Sequence, residues 1–551
     1  MEFENDAQFW HKTRGMHPRR NLLFTGLVLL TLAGMSCQRD DRENAIHQGL
    51  PPTQLAPDCV LRLHWMGKQR LAVAASAYNF MRVWTLPESG RLEAQSLDKL
   101  AAYFCGGQAA KKDTQTALRS LLDDALQSEG FLEIRRGSNG STQIIYALPQ
   151  DDPQAHVWHF NLAGVVSALT GAQPTMKAAS WSARDPHSGR QIALARAGRW
   201  TVIGINSGTQ TLWDETLARI QRDGAPYVAR TEGSWMEVDL DADWAAHALG
   251  CKTFPTAGQP HVALTINGDG AHVLTTAQIR FTTPQELPLN AWNAPTNEIH
   301  DPLVSFTAGR GLVSWLAALE AGKKLTARPL PDQFYLWGPE GIPAQMALAL
   351  RGPNATAFVG SLVKELEQRV NPWLADHHAG NISTTPTETG GIWNGLPLLT
   401  PFLVTASGEG GNLLVGGTMT NAYQGTNTHS LAYPQQTVAE LLSGISGRTN
   451  LVYFDWEQTG PRVESCLYLF QVLRVTFHTP QLPPDSAGMR WLGTISPRLG
   501  NSTTTLTQAG PQDLVFTRRS SLGLTAFELH LLVDWLEAKD FPRTLRSLES
   551  P

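Results

Sequence analysis

Asn450–Leu473 reads NLVYFDWEQTGPRVESCLYLFQVL: eight strand-like residues, then almost without a connector a run of helical composition. Asn-Leu-Val-Tyr-Phe-Asp-Trp is rich in β-branched and aromatic residues, and Val463 onward is a longer apolar run, so the period changes within one short stretch. Three other stretches carry the same junction: Ala155–Gly171 (AHVWHFNLAGVVSALTG), Ser234–Gly250 (SWMEVDLDADWAAHALG) and Leu303–Leu319 (LVSFTAGRGLVSWLAAL). Pairs of strand-like runs follow, Lys177–Ala183 with Gln191–Ile205, then His261–Ile266 with Ala271–Phe281, then Tyr335–Gly338 with Met346–Arg351. A further pair, Pro401–Ser407 with Asn412–Thr418, lies before the last junction. Hairpin signals such as Asn267-Gly268-Asp269-Gly270 join neighbouring runs. The expected class is α+β, with repeated strand–helix–strand–strand units forming largely antiparallel sheets covered by helices.

Independent helices are expected over Thr114–Glu129, with Asp113 as cap and Gly130 as stop, over Ala355–Val370 after the cap Asn354, and over Leu524–Glu537 with Trp535 inward. Pro284, Pro288, Pro295 and Pro302 punctuate a polar stretch. Proline withholds the donor that a strand or helix needs, so residues 59–285 and 303–540 are expected to be two α+β domains, with 286–302 as connector and 541–551 as tail. Asp376–Thr389 reads as an exposed loop.

The N-terminal region supplies an address. Arg19 and Arg20 precede an apolar run, Leu22–Met35, and Ser36-Cys37 closes it. Fourteen residues fall short of the roughly 20 a spanning helix needs, and the charged, apolar, small-residue order is that of a secretory signal. Initiation at Met16 gives such a signal its usual short charged start. Cys37 is the expected lipidation site. Ser36 suits that reading, while Gly34 and Met35 depart from the usual leucine and small residue. Cleavage after Ser36 without lipid and an uncleaved anchor are the other readings. The polar segment 38–58, with Pro51, Pro52 and Pro57, would be the tether, and Gln38 after the cysteine points to an outer-membrane lipoprotein of the cell envelope.

Without residues 1–36, which hold four Lys/Arg and three Asp/Glu, the chain carries 40 basic and 46 acidic residues, a net −6. That excludes a phosphate-backbone footprint, so no nucleic-acid partner is expected. Of the cysteines left beyond Cys37, Cys59 and Cys105 are the most local disulfide candidates, and Cys251 and Cys466 are distant. No CxxC, HExxH or Gly-x-Ser-x-Gly pattern occurs, and no cofactor or metal is expected. His156 and His159, three apart on an expected strand, would face opposite ways. His530, Asp534 and Glu537 would form a solvated row on one helix. Two Ser-x-x-Lys tetrads, Ser96–Lys99 and Ser361–Lys364, lack the partner motifs of a serine hydrolase.

The densest carboxylate run is Glu237, Asp239, Asp241 and Asp243. On a strand, Trp235, Glu237 and Asp239 share a face, an arrangement that suits a sugar. Glu237, Asp239 and Asp455 are therefore the candidate catalytic carboxylates. The alternative is a wet strand face followed by Asp241 or Asp243 capping the next helix.

Asn450–Trp456 and Leu514–Trp535 (LVFTRRSSLGLTAFELHLLVDW) resemble a group of exported proteins of Verrucomicrobia and related bacteria. The resemblance runs back through Val304–Trp315 to Leu61–Lys99, and it implies an exported α+β architecture without implying an activity. Three functions follow as expectations. The first is a lipid-anchored envelope protein, held to the membrane by its N-terminal lipid, with a binding or structural role toward a protein or glycan partner. The second is an envelope glycan hydrolase using the strand carboxylates. The third is a carrier of an apolar ligand, which would show as a large cavity lined by leucine and tryptophan.

Overall fold

The computed structural model describes residues 58–106, 112–137, 141–206, 211–248, 260–285, 287–311, 313–318, 330–340, 345–351, 355–385, 390–408, 411–418, 436–476, 482–539 and 541–542. The signal, Cys37, the tether up to residue 57, Cys251 and Asn354 lie outside them.

Among the described residues, ten strands precede the proline-rich stretch: β1 (Cys59–Trp65), β2 (Gly130–Arg136), β3 (Thr142–Pro149), β4 (Thr175–Met176), β5 (Ser180–Arg184), β6 (Gln191–Ala197), β7 (Trp200–Asn206), β8 (Met236–Asp241), β9 (His261–Gly268) and β10 (Val273–Arg280). Ten follow it: β11 (Leu303–Arg310), β12 (Gln333–Pro339), β13 (Ala347–Arg351), β14 (Asn381–Thr384), β15 (Gly390–Asn394), β16 (Phe402–Gly408), β17 (Gly411–Gly417), β18 (Leu451–Gln458), β19 (Asn501–Gln508) and β20 (Asp513–Ser520). All twenty join one sheet, and every pairing is antiparallel. The hydrogen-bonded neighbours run β4-β5-β6-β7-β3-β2-β1-β8-β9-β10, then β20-β19-β18-β11-β12-β13-β17-β16-β15-β14. The α+β class is thus correct, with one large antiparallel sheet.

The order reads alike from both ends, strand n of the first ten matching strand n + 10 of the second. At the centre, β10 meets β20 with Val273 opposite Ser520 and Arg280 opposite Asp513. Helices lie on both faces. On one, helices from both sides of the connector interlock: Val83 and Leu92 share a core with Val463, Phe470, Leu529 and Val533. Trp491 Nε1 donates to Ser89 Oγ (3.0 Å), and Lys99 Nζ to the Leu536 carbonyl (2.6 Å). On the other face, Phe306, Tyr335, Trp337 and Trp456 are buried with Leu441 and Ile445 of helix Val438–Ile445.

Several local expectations are corrected. Ala155–Gly171 contains no strand; helix Asp152–Thr170 runs through it, with Asp151 accepting from the Gln154 N–H and Gly171 closing it at φ 75°. Gly130 opens β2 and is no helix stop, and Asp113 lies inside helix Lys112–Gln127. Gln191–Ile205 divides into β6 and β7 at a turn where Gly198 has φ 55°. Asp376–Thr389, read as a loop, holds β14. Trp535, expected inward, is half exposed, and helix Ala526–Glu537 buries Leu529, His530 and Val533 instead.

Candidate functional site

β1 contains Leu61-Arg62-Leu63-His64-Trp65, and strand alternation sends Leu63 and Trp65 to one face and Arg62 and His64 to the other. On β8, Met236 and Val238 stand beside Trp65 and Leu63, whereas Glu237 and Asp239 stand beside His64 and Arg62. The same two strands therefore line two chemically opposite cavities, one on each face of the sheet.

The apolar cavity holds about 510 Å³, within the usual span of small-molecule sites. Leu63 and Trp65 form its floor, Phe80, Trp84 and Leu126 its helical side, and Leu522–Leu524, just beyond β20, one wall. Each indole there donates to protein: Trp65 Nε1 to the Leu126 carbonyl (3.0 Å), Trp84 Nε1 to Glu93 (2.6 Å) and Trp235 Nε1 to Ser76 Oγ (3.2 Å). With those dipoles engaged, the rings present hydrocarbon to the space.

The polar pocket, about 210 Å³, is lined by Arg62, His64, Arg219, Tyr227, Glu237 and Asp239, among others. Glu237 accepts from the backbone N–H groups of Arg230 (3.0 Å) and Thr231 (2.9 Å) and from Ser234 Oγ (2.9 Å). Asp239 is bound by the Arg230 guanidinium. Deeper, Glu133 is fully buried between Arg135 (2.8 Å) and Arg219 (3.1 Å), with Arg62 at 3.5 Å. Burial alone would raise its pKa, but those three guanidiniums outweigh it and hold the carboxyl below its ordinary range. Glu129 is likewise held at about 2: hydrogen bonds from His64 and Tyr227 and the charge of Arg70 overcome the burial that would raise it. These carboxylates are counter-ions, fixed in hydrogen bonds and charge pairs.

No protein-family model matches this chain, and no curated protein or solved structure matches it either. Its site has to be read from its own geometry.

Glu237 and Asp239 share the pocket as the sequence indicates, but Trp235 does not. Its ring packs against Phe80 at 5.3 Å and lines the apolar cavity on the far side of the sheet. Asp455 stands apart from both. Four strands separate β18 from β8, about 24 Å at ordinary strand spacing. The row Glu237, Thr265, Thr276, Thr517, Thr505, Phe454 crosses the sheet on one face, so Asp455, next to Phe454, points to the other. Asp455 is buried, accepts from Thr307 Oγ1 at 2.5 Å, and is pushed up to about 7 by burial and then by Glu457. Glu457 is raised by the same burial while accepting from the Ala526 N–H at 2.8 Å.

Asp241 caps helix Ala242–Ala248 through the Trp244 N–H (2.8 Å), the structural role weighed for it. His156 and His159 lie on a helix, His156 exposed and His159 buried, which corrects the strand expected there. His530 belongs to no solvated row: it is buried, its Nε2 lies 2.7 Å from the Val463 carbonyl, and Asp534 and Glu537 pair with Arg474 and Lys99. Among the described residues, no three His, Cys, Asp or Glu side chains converge to hold a metal ion. Cys59 and Cys105 are both buried, Cys59 as a thiol with Sγ 3.6 Å from the Leu61 carbonyl. Lys99 of the first Ser-x-x-Lys tetrad reaches away to Leu536, and Ser361 and Lys364 of the second are exposed. Arg62, His64, Arg219 and Arg230 were not singled out from sequence; the polar positions alternating with apolar ones in Leu61–Trp65 are the signal that marks the first two.

Proposed function

We propose that this protein is an exported, lipid-anchored protein of the cell envelope, attached through Cys37, whose role is binding without catalysis and whose ligand is a hydrocarbon chain. The apolar cavity carries the reading. It has the volume of a ligand site, aromatic and leucine walls, and indole N–H groups already satisfied, so it offers a ligand contact and no polar anchor. An acyl chain meets that description, and a protein tethered at a membrane surface would find one there. The strand–helix–strand–strand unit is inferred to recur at β1, β8, β11 and β18, each followed by helix and then two neighbouring strands. On this reading residues 59–285 and 303–540 are two related domains sharing one sheet.

Glycan hydrolysis is the weaker reading. It requires two carboxyl groups roughly 5–9 Å apart across the scissile bond; Asp455 lies strands away from Glu237 and Asp239, and those two are held by Arg230.

The test is titration of the mature protein with N-phenyl-1-naphthylamine followed by competition with palmitate. The expected result is a saturable rise in fluorescence, one site per chain, reversed by palmitate. No saturable signal, or no competition, would overturn the assignment. Mass spectrometry of the N-terminus tests attachment: an unmodified residue 37 rules out the lipid anchor.

A further inference from the structure

Building on the acyl-chain reading of the apolar cavity, we infer that Leu522 and Leu524 set the length of chain it accepts, and that Arg518 is the positioning residue that holds them. Most of the cavity wall is fixed by strand ladders or by helix. Among the described lining residues, only Leu522, Gly523, Leu524 and Trp235 lie outside helices and strands. Trp235 is nonetheless tied into the sheet. Its N–H donates to the Ile266 carbonyl (2.8 Å), its carbonyl accepts from the Met66 N–H (2.8 Å), and its indole donates to Ser76 Oγ. That leaves one wall made by a turn, whose two leucines are half-buried and pack partly against the helical layer.

The turn is held from the end of β20. Gly523, at φ 79°, donates its N–H to Ser520 Oγ (2.7 Å), and its carbonyl accepts from Arg518 Nη1 (2.8 Å). A Cβ added to Gly523 would lie 3.2 Å from Val273, itself a lining residue, so the turn rests its backbone on the sheet beside the cavity. Arg518 is buried and anchored on every side: Nε donates to Thr504 Oγ1 (2.9 Å), and the two Nη groups to Glu528 (2.7 and 3.0 Å). Glu528 in turn accepts from the Thr525 N–H (2.8 Å), closing the capping box of helix Ala526–Glu537. One planar guanidinium thereby locks strand end, turn and helix start, which an ammonium group cannot reproduce. The floor of the cavity comes from β1 and β8, so a chain lying on it meets a stop built from the other half of the molecule.

Each ligand methylene newly buried is worth about fourfold in affinity. Leu524→Ala removes about three carbon atoms of the wall and Leu524→Phe adds about as many, so the two should shift chain preference in opposite directions. Myristate, palmitate and stearate are competed against bound N-phenyl-1-naphthylamine. The ratio of stearate to palmitate affinity should rise about fourfold or more in Leu524→Ala, and that of myristate to palmitate in Leu524→Phe. Arg518→Lys keeps the charge without the fork and should flatten the wild-type preference. Leu529→Ala, in the same helical core but not lining the cavity, is the destabilised control and should keep the wild-type ratios. Wild type that releases the probe to palmitate, with ratios unchanged in both Leu524 variants or equally changed in Leu529→Ala, overturns the inference and leaves the acyl-chain site standing. Wild-type ratios in Arg518→Lys overturn the positioning role. Wild type without displaceable probe overturns site and inference together. Should Arg518→Lys fail to fold, Glu528→Gln, which keeps a capping side chain while loosening the same fork, takes its place.

Discussion

Trp65 stands directly opposite Gly130 across β1 and β2, and both line the apolar cavity. In the second ten strands the same pair occurs with its members exchanged: Gly309 of β11 faces Phe334 of β12. There a Cβ on Gly309 would fall 2.3 Å from the Phe334 ring, so the ring lies flat over the glycine. At Gly130 an added Cβ meets first the phenol end of Tyr146, at 3.0 Å. The apolar cavity is thus lined by a pair whose matching position in the other half is filled.

Gly130→Leu should fill part of that cavity. N-phenyl-1-naphthylamine affinity is expected to fall by about tenfold or more, with a stability change of about 1–3 kcal/mol from crowding Tyr146. Equal affinity in a folded variant would place the ligand elsewhere.

Arg230 holds Glu237 and Asp239, two of the three carboxylates that the sequence offered as catalytic. Arg230→Met leaves Asp239 buried without its guanidinium, and removal of one partner of a buried pair costs about 3–5 kcal/mol. Urea unfolding should show that loss, and Arg230→Met with Asp239→Leu should recover most of it. A loss confined to the double variant would mean that Arg230 is not the counter-ion the geometry makes it.

The thiols give a third test. Burial pushes Cys59 and Cys466 up to about 11, so at pH 8 iodoacetamide should label neither in the folded protein. In urea without reductant both should react. Labelling of Cys466 but not Cys59 under those conditions would reveal a bridge from Cys59, with Cys105 the partner the sequence suggests.

Legibility in the sequence followed the strength of local signals. In Asn450–Leu473 the apolar strand and the helix are long enough to separate, and both form where expected. In Ala155–Gly171, Val157-Trp158 and Phe160 satisfy a strand and a helix equally. The deciding marks lay just upstream, where Asp151-Asp152-Pro153 is a helix start with a capping carboxylate and proline in the first turn. The carboxylates of β8 were visible because they are consecutive in alternation. Their cation was not, since Arg230 comes from the irregular segment before the strand, and no periodicity announces which loop arginine folds back. Strand parity alone puts Trp235 with the carboxylates; it precedes the strand, and its ring follows the packing of Phe80.

Asp455, with Glu457 raised beside it by the same burial, carries one part of the pH dependence. Its ordinary pKa is 3.8, and in the folded protein burial, then the neighbouring Glu457, push it to about 7. Between those values the folded chain keeps a proton that the unfolded chain has released, so the unfolded state binds fewer protons and stability falls as pH rises. The loss runs from about pH 4 to about pH 7 with a slope of at most about 1.4 kcal/mol per unit for one group. Glu129 acts in the opposite sense in a lower window: held at about 2, it stabilises above its ordinary pKa of 4.5, and that contribution is lost as pH falls toward 2. Asp455→Asn removes the first titration while keeping an oxygen for Thr307 Oγ1. In urea unfolding at pH 5 and pH 8, the stability of wild type relative to Asp455→Asn should fall from the lower pH to the higher. Parallel curves for the two proteins would mean that Asp455 is ionised in the folded state, paired with Arg462 or Arg518, the cations that lower its pKa.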